Sequence, residues 1–225
     1  MKKLSTSKQM AINMVAAIVS FLIGTGINFV LAPYLVKELG SETYGFIGLA
    51  NNFVQYATIV TSALNSMSGR FISIEYSKGN IDKASRYFSS VLVADLIIAG
   101  VLLLVSSIIT FNIEFILNVP ENLVDSVKIL FAFTFATFII SVITAIFTTA
   151  AFVKNKLYIN SLRDIASNTL KLLLVVILFS FFPAKVYFLA MASLASGIFL
   201  LLTNIKVKNK ILPEVKICLL YTSPS

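Results

Sequence analysis

The chain has 225 residues, of which 58% are hydrophobic and 12% charged, and its mean hydropathy is +0.92; roughly a quarter of the residues of an ordinary soluble domain are charged. That composition excludes a soluble globular domain and points to a polytopic membrane protein. The net charge of +8 comes without a basic run interleaved with aromatics, so no nucleic-acid surface is expected, while the absence of histidine and the single cysteine, Cys218, exclude a Cys/His metal centre, a Cys–His nucleophile and an internal disulfide framework.

Residues 1–9 are polar, with Lys2, Lys3 and Lys8, and an apolar block near 10–36 follows. The block outruns the ~7–15-residue core of a secretory signal peptide and reaches the ~20 or more residues that a transmembrane helix requires. Pro33 near its far end predicts a kink. Asn13, Ala17, Ser20, Gly24 and Asn28 form a small-or-polar line that faces either the second helix or a shared cavity.

The second helix is expected near 44–67. Asn51, Gln55, Thr58, Ser62 and Asn65 recur along it at alternating steps of four and three, which aligns them on one side. A helix facing lipid all round has no use for such a line, whereas one lining a water-filled path needs it. From Arg70 to Arg86 runs a charged connector that turns at Gly79 and Asn80 and is expected to lie along the membrane surface among lipid headgroups.

Further helices near 88–111, 127–153, 165–182 and 186–204 make six. All Lys and Arg residues within 1–9, 70–86, 154–163 and 206–216 then fall on one side of the membrane, and Lys37, Lys128 and Lys185 on the other, so the positive-inside rule places both termini in the cytoplasm. Residues 206–225 form a basic tail whose end, CLLYTSPS at 218–225, reads as translated adapter sequence. In the fourth helix Thr134, Thr137, Ser141, Thr144 and Thr148 repeat the three-four spacing; close packing and bonding to their own backbone are favoured there over contact with a solute. Ala190, Ser193 and Gly197 of the sixth read as packing.

Two ionisable residues lie clearly within the expected spans, away from their ends, Asp95 and Lys171. A charge at the bilayer centre costs at least ~2.5–3.5 kcal/mol on the insertion scale, so such residues normally have a partner or a task, and the two are expected to form one intramembrane polar site. The remaining carboxylates are scattered singly, and no phosphate-cradling glycine loop is present. Neither an enzyme, nor a metal site, nor a cofactor, nor direct ATP hydrolysis is expected.

The stretch GINFVLAPYLVKELGSETYGFIGLANNF leads a helix with a late proline through Leu39 and Gly40 to a Tyr44–Gly45 pair, and NSMSGRFISIEYSKGN followed by KASRYFSS joins an arginine-ended second helix to a basic connector. This order resembles the polysaccharide flippases of the MOP/MATE-like exporter superfamily, in their N-terminal half, over about residues 10–205. The resemblance implies an all-α fold in which a six-helix bundle is one lobe of a two-lobe transporter in a bacterial plasma membrane. It also implies a central cavity that opens alternately to either side, lined by helices one and two. The implied partners are a lipid-linked oligosaccharide of polyprenyl-pyrophosphate type and the membrane lipids. Asn28, Asn51, Gln55, Thr58, Ser62 and Asn65 would line the sugar path, and Arg70 and Lys171 would meet the lipid phosphate. Six helices are one lobe, so a second lobe or a homodimer would complete the architecture. The alternatives are a MATE-type drug or metabolite exporter and a non-transporting membrane scaffold.

Overall fold

The computed structural model describes residues 6–217, with the side chains of 59, 60 and 62–66 outside the description. Six long helices account for most of it: α1 (Thr6–Leu39), α2 (Ser41–Ser77), α3 (Ile81–Phe111), α5 (Val124–Val153), α6 (Tyr158–Phe181) and α7 (Phe188–Ile211). A single turn, α4 (Ile113–Ile116), and a 3-10 turn at Glu121–Leu123 connect α3 to α5. Among the described residues five helices are long and apolar enough to cross a membrane; α2, the least apolar of the six and the bearer of the polar line, is not one of them.

The helices overrun the apolar spans at the basic end. The segment 70–86 is not a surface connector: α2 continues to Ser77 and α3 starts at Ile81, because a helix leaving the bilayer satisfies its own backbone and needs no apolar side chains there. Gly79, at φ 82, makes the turn; Asn80 N donates to Glu75 O and Gly79 N to Tyr76 O, the paired bonds of a Schellman cap. Asn155, at φ 53, ends α5 in the same way, with Lys156 N donating to Ala151 O. At the opposite end Gly40, at φ 80, is the one residue between α1 and α2.

The order of packing is α1 on α6, α6 on α7, α7 on α5, and α5 on both α2 and α3, which also pack on each other; contact between α1 and α2 is sparse. Apolar clusters close the two ends of this arrangement. Phe46, Ile113, Val127 and Phe131 sit at one, and Ile72, Phe88, Phe147, Leu212 and Val215 at the other, where the segment after α7 folds back across the bundle.

The charged loops predicted to share a side do so. Asn13 Nδ2 donates to both Asn155 O and Asn155 Oδ1, at 3.1 and 3.0 Å, and Tyr158 N donates to Asn13 Oδ1 at 3.1 Å. Lys216 N donates to Ser85 Oγ at 3.1 Å. Lys154 donates to Tyr76 Oη, and its Nζ lies 3.5 Å from Glu214 Oε1. Four stretches of sequence are thereby gathered at one basic end, while Lys128 pairs with Glu114 at 2.5 Å at the other.

Candidate functional site

Beside the first of the two apolar clusters, and sharing Ile47, Leu130 and Ala190 with it, lies a cavity of about 570 Å³ bordered by α1, α2, α5, α6 and α7. The wall contributed by α2 runs Tyr44, Ile47, Asn51, Val54 and Thr58, again at three-four spacing. Asn51 and Thr58 of the predicted line are therefore on the cavity. Gln55 is not: at roughly 100° per residue it falls on the flank of that face, where it is exposed. Ser62 and Asn65 lie among the side chains outside the description.

The facing wall comes from α5, with Thr134, Thr137 and Ser141, and from α7, with Ala190 and Ser193. The α5 hydroxyls bond to their own backbone, as expected, and three of them also border the cavity. Each donates to its own helix, Thr134 Oγ1 to Leu130 O and Thr137 Oγ1 to Phe133 O at 2.8 Å, and Ser141 Oγ to Phe138 O at 2.7 Å. Thr58 Oγ1 does the same toward Val54 O at 2.8 Å. A hydroxyl that has given its hydrogen to the backbone still presents lone pairs, so these residues offer the cavity acceptors. Thr144 and Thr148 also bond to their own helix and are absent from the cavity lining. Gly197 packs, its Cβ direction meeting Thr137 Cγ2 at 3.6 Å.

Lys171 is the one formally charged residue of the described lining. Its Nζ donates to Asn28 Oδ1 at 3.3 Å, which leaves two further N–H groups. Asn28 belongs to the polar line of α1, and that line faces α6 rather than α2. Ser20, Gly24 and Asn28 share a polar groove with Ser161, Asp164 and Asn168, and a Cβ on Gly24 would meet Asn168 Nδ2 at 3.3 Å. The groove and the cavity share Asn28.

The expected site joining Asp95 to Lys171 does not form. Asp95 is buried, 2% exposed, on α3, which packs against α2 and α5 and makes no contact with α6. Arg70 is also apart from Lys171, exposed at the basic end and roughly 18 Å along α2 beyond Thr58 at 1.5 Å per residue. Sequence reasoning missed Tyr44 and gave Ser193 to packing; both belong to three-four series that continue the polar lines already recognised.

The sequence profile described as "Polysaccharide biosynthesis protein" matches residues 10–218. The chain is 31% identical over 202 residues to the "Uncharacterized membrane protein EpsK" of Bacillus subtilis (strain 168), with 90% of this chain and 40% of that protein covered. Among solved structures it is similar to a MATE protein in complex with MaD3S, with TM-score 0.77, 16% identity, and 97% of this chain covered against 49% of that one. A MOP superfamily transporter from Pyrococcus furiosus gives TM-score 0.72 at 17% identity, covering 100% of this chain and 52% of that one. The fold is that of a MATE-like transporter lobe, and the chain spans about half the length of the proteins it matches. The chain belongs to the polysaccharide biosynthesis protein family.

Proposed function

We propose that the chain forms one lobe of a flippase that carries a lipid-linked oligosaccharide from the cytoplasmic to the outer face of a bacterial plasma membrane, by alternating access, for cell-surface polysaccharide synthesis. The family and the fold support a membrane exporter. The observation that carries the finer reading is the cavity wall: acceptor hydroxyls from Thr58, Thr134, Thr137 and Ser141, the Asn51 amide, and one cation at Lys171.

Sugar hydroxyls donate to such acceptors, and an amide serves both as donor and acceptor without the cost of a buried charge. Lys171 supplies an attraction for the phosphate of the lipid carrier. In this reading Asn28 orients the ammonium, the polyprenyl tail stays in lipid, and a second lobe or second copy closes the open side. Arg70 meets the headgroup only at the basic end, and the basic loops keep that end in the cytoplasm.

Deletion of the gene tests the reading: lipid-linked oligosaccharide retained on the cytoplasmic face supports it. The MATE-like fold favours a second reading, a drug or metabolite exporter, which altered efflux with normal surface polysaccharide would support. Normal surface polysaccharide and normal efflux together would instead favour a non-transporting scaffold.

A further inference from the structure

The basic end carries a second feature that the transport path does not use. On the side of the α2–α3 hairpin is a groove of about 290 Å³ lined by Glu75, Lys83, Arg86, Tyr87 and Ser90. The Glu75 carboxylate is already engaged, accepting from Asn80 Nδ2 at 2.8 Å and from Lys78 Nζ at 3.2 Å. Lys83 and Arg86 are exposed and enter no ion pair among the described residues. The groove thus has two cations available to an incoming anion.

What lies beneath the cations identifies that anion. The Tyr87 ring stacks on Phe71 of α2, with centroids 5.8 Å apart and planes at 25°, an aromatic pair of the kind favoured at a membrane–water interface. Lys83, Tyr87 and Ser90 continue at three-four spacing into Ala94, Ile97 and Val101, and every one of these is exposed. One uncovered face of α3 therefore reads, from the basic end inward, cation, aromatic ring, hydroxyl and apolar surface, over roughly 21 Å from Lys83 to Ile97 at 1.5 Å per residue.

A soluble anion would make no use of the apolar part of that face. A phospholipid has the same vertical order: phosphate, glycerol backbone, acyl chains. We propose that the α2–α3 hairpin is a binding site for an anionic phospholipid, with Lys83 and Arg86 on the headgroup phosphate and the acyl chains along Ile97 and Val101. A charge-assisted phosphate contact from two cations at headgroup depth gives preference for an anionic over a zwitterionic lipid.

The chain has no tryptophan, so Phe71→Trp places a single tryptophan against Tyr87 at the edge of the groove. This variant is reconstituted in bilayers containing a low fraction of acyl-brominated phosphatidylglycerol or acyl-brominated phosphatidylcholine. Quenching by the anionic lipid is expected to report about fivefold enrichment over the zwitterionic one. Adding Lys83→Gln with Arg86→Gln should bring the two lipids level, while Lys83→Arg with Arg86→Lys should keep the preference. Lys206→Gln with Arg86 and Lys83 intact, combined with Lys210→Gln, removes the same charge from exposed positions on α7 and should also keep it. Equal quenching by the two lipids without those substitutions would overturn the proposal. So would a loss as large from the α7 pair, which would indicate diffuse surface charge, or abolition of the preference by millimolar inorganic phosphate, which would indicate a site for soluble phosphate.

Discussion

Lys171 Nζ donates a hydrogen bond to Asn28 Oδ1 at 3.3 Å, tying α6 to α1 at the edge of a cavity whose other described lining residues carry no charge. A hydrogen bond to a charged group is worth about 1.5–3 kcal/mol, and every 1.4 kcal/mol is about tenfold in affinity. Lys171→Met is therefore expected to weaken binding of a lipid-linked oligosaccharide to the purified chain in nanodiscs by about tenfold or more, with Lys171→Arg keeping most of it. Unchanged affinity in Lys171→Met would remove the cation from the site.

Asn13 joins the start of α1 to the turn between α5 and α6 through Asn155 and Tyr158. Replacing it by alanine removes three hydrogen bonds to partners that are exposed at Asn155 and half-buried at Tyr158, each worth about 0.5–1.5 kcal/mol. Asn155→Gly keeps the left-handed backbone at φ 53 and removes one acceptor, so it should destabilise less. Thermal unfolding in detergent ranks the two, and the reverse order would contradict this account of the joint.

Gly40→Ala and Gly26→Ala form a matched pair, because a Cβ at either position meets nothing within 4 Å. Gly40 has φ 80, where an L side chain costs about 1–2 kcal/mol, whereas Gly26 lies inside α1, where alanine gains up to about 1 kcal/mol in helix propensity. The two substitutions should move the melting temperature in opposite directions.

The contact of Lys154 with Tyr76 and Glu214 predicts a pH window. Its own backbone N–H, and then Lys154 and Tyr76, hold the Glu214 carboxyl below the usual glutamate range. Burial alone would lower Lys154, but the hydrogen bond to Tyr76 and the attraction of Glu214 outweigh it and raise the ammonium above its ordinary value. A lowered carboxyl contributes stability that is present above its unfolded value and is lost as pH falls through the folded one; a raised lysine contributes below its unfolded value and loses it as pH rises through the folded one. The docking of residues 212–216 should therefore be firm across neutral pH and loosen in acid and in strong alkali. Hydrogen exchange at Val215 across pH should follow that profile, and Glu214→Gln should flatten its acid limb.

The membrane class, the six helices and the common side of the basic loops were legible because each rests on summed composition over a long segment. The polar wall of α2 was legible to within a rotation: Asn51 and Thr58 were placed on it, but Gln55 was not excluded, because periodicity gives a face and not the direction in which neighbours stand. Partners were least legible. Asp95 and Lys171 are the two charges well inside the expected spans, yet α5 and α7 stand between their helices, and Lys171 instead meets an amide 143 positions away. Helix extensions such as α2 from residue 68 to Ser77 and the first turns of α3 carry Arg70, Glu75, Asp82 and Lys83 among a few apolar positions such as Ile72, and this mixed pattern was taken for a surface connector.

Thiol accessibility across the cavity tests the central claim most directly. Cys218 is the single cysteine, so after Cys218→Ser each of Asn51→Cys, Thr134→Cys and Ile97→Cys carries one reporter. A lipid-linked oligosaccharide is expected to protect the thiols at 51 and 134 from a water-soluble maleimide and to leave the one at 97, on an exposed face of α3 outside the cavity lining, unaffected. Reaction at 51 and 134 that is the same with and without the oligosaccharide would contradict a sugar path through this cavity.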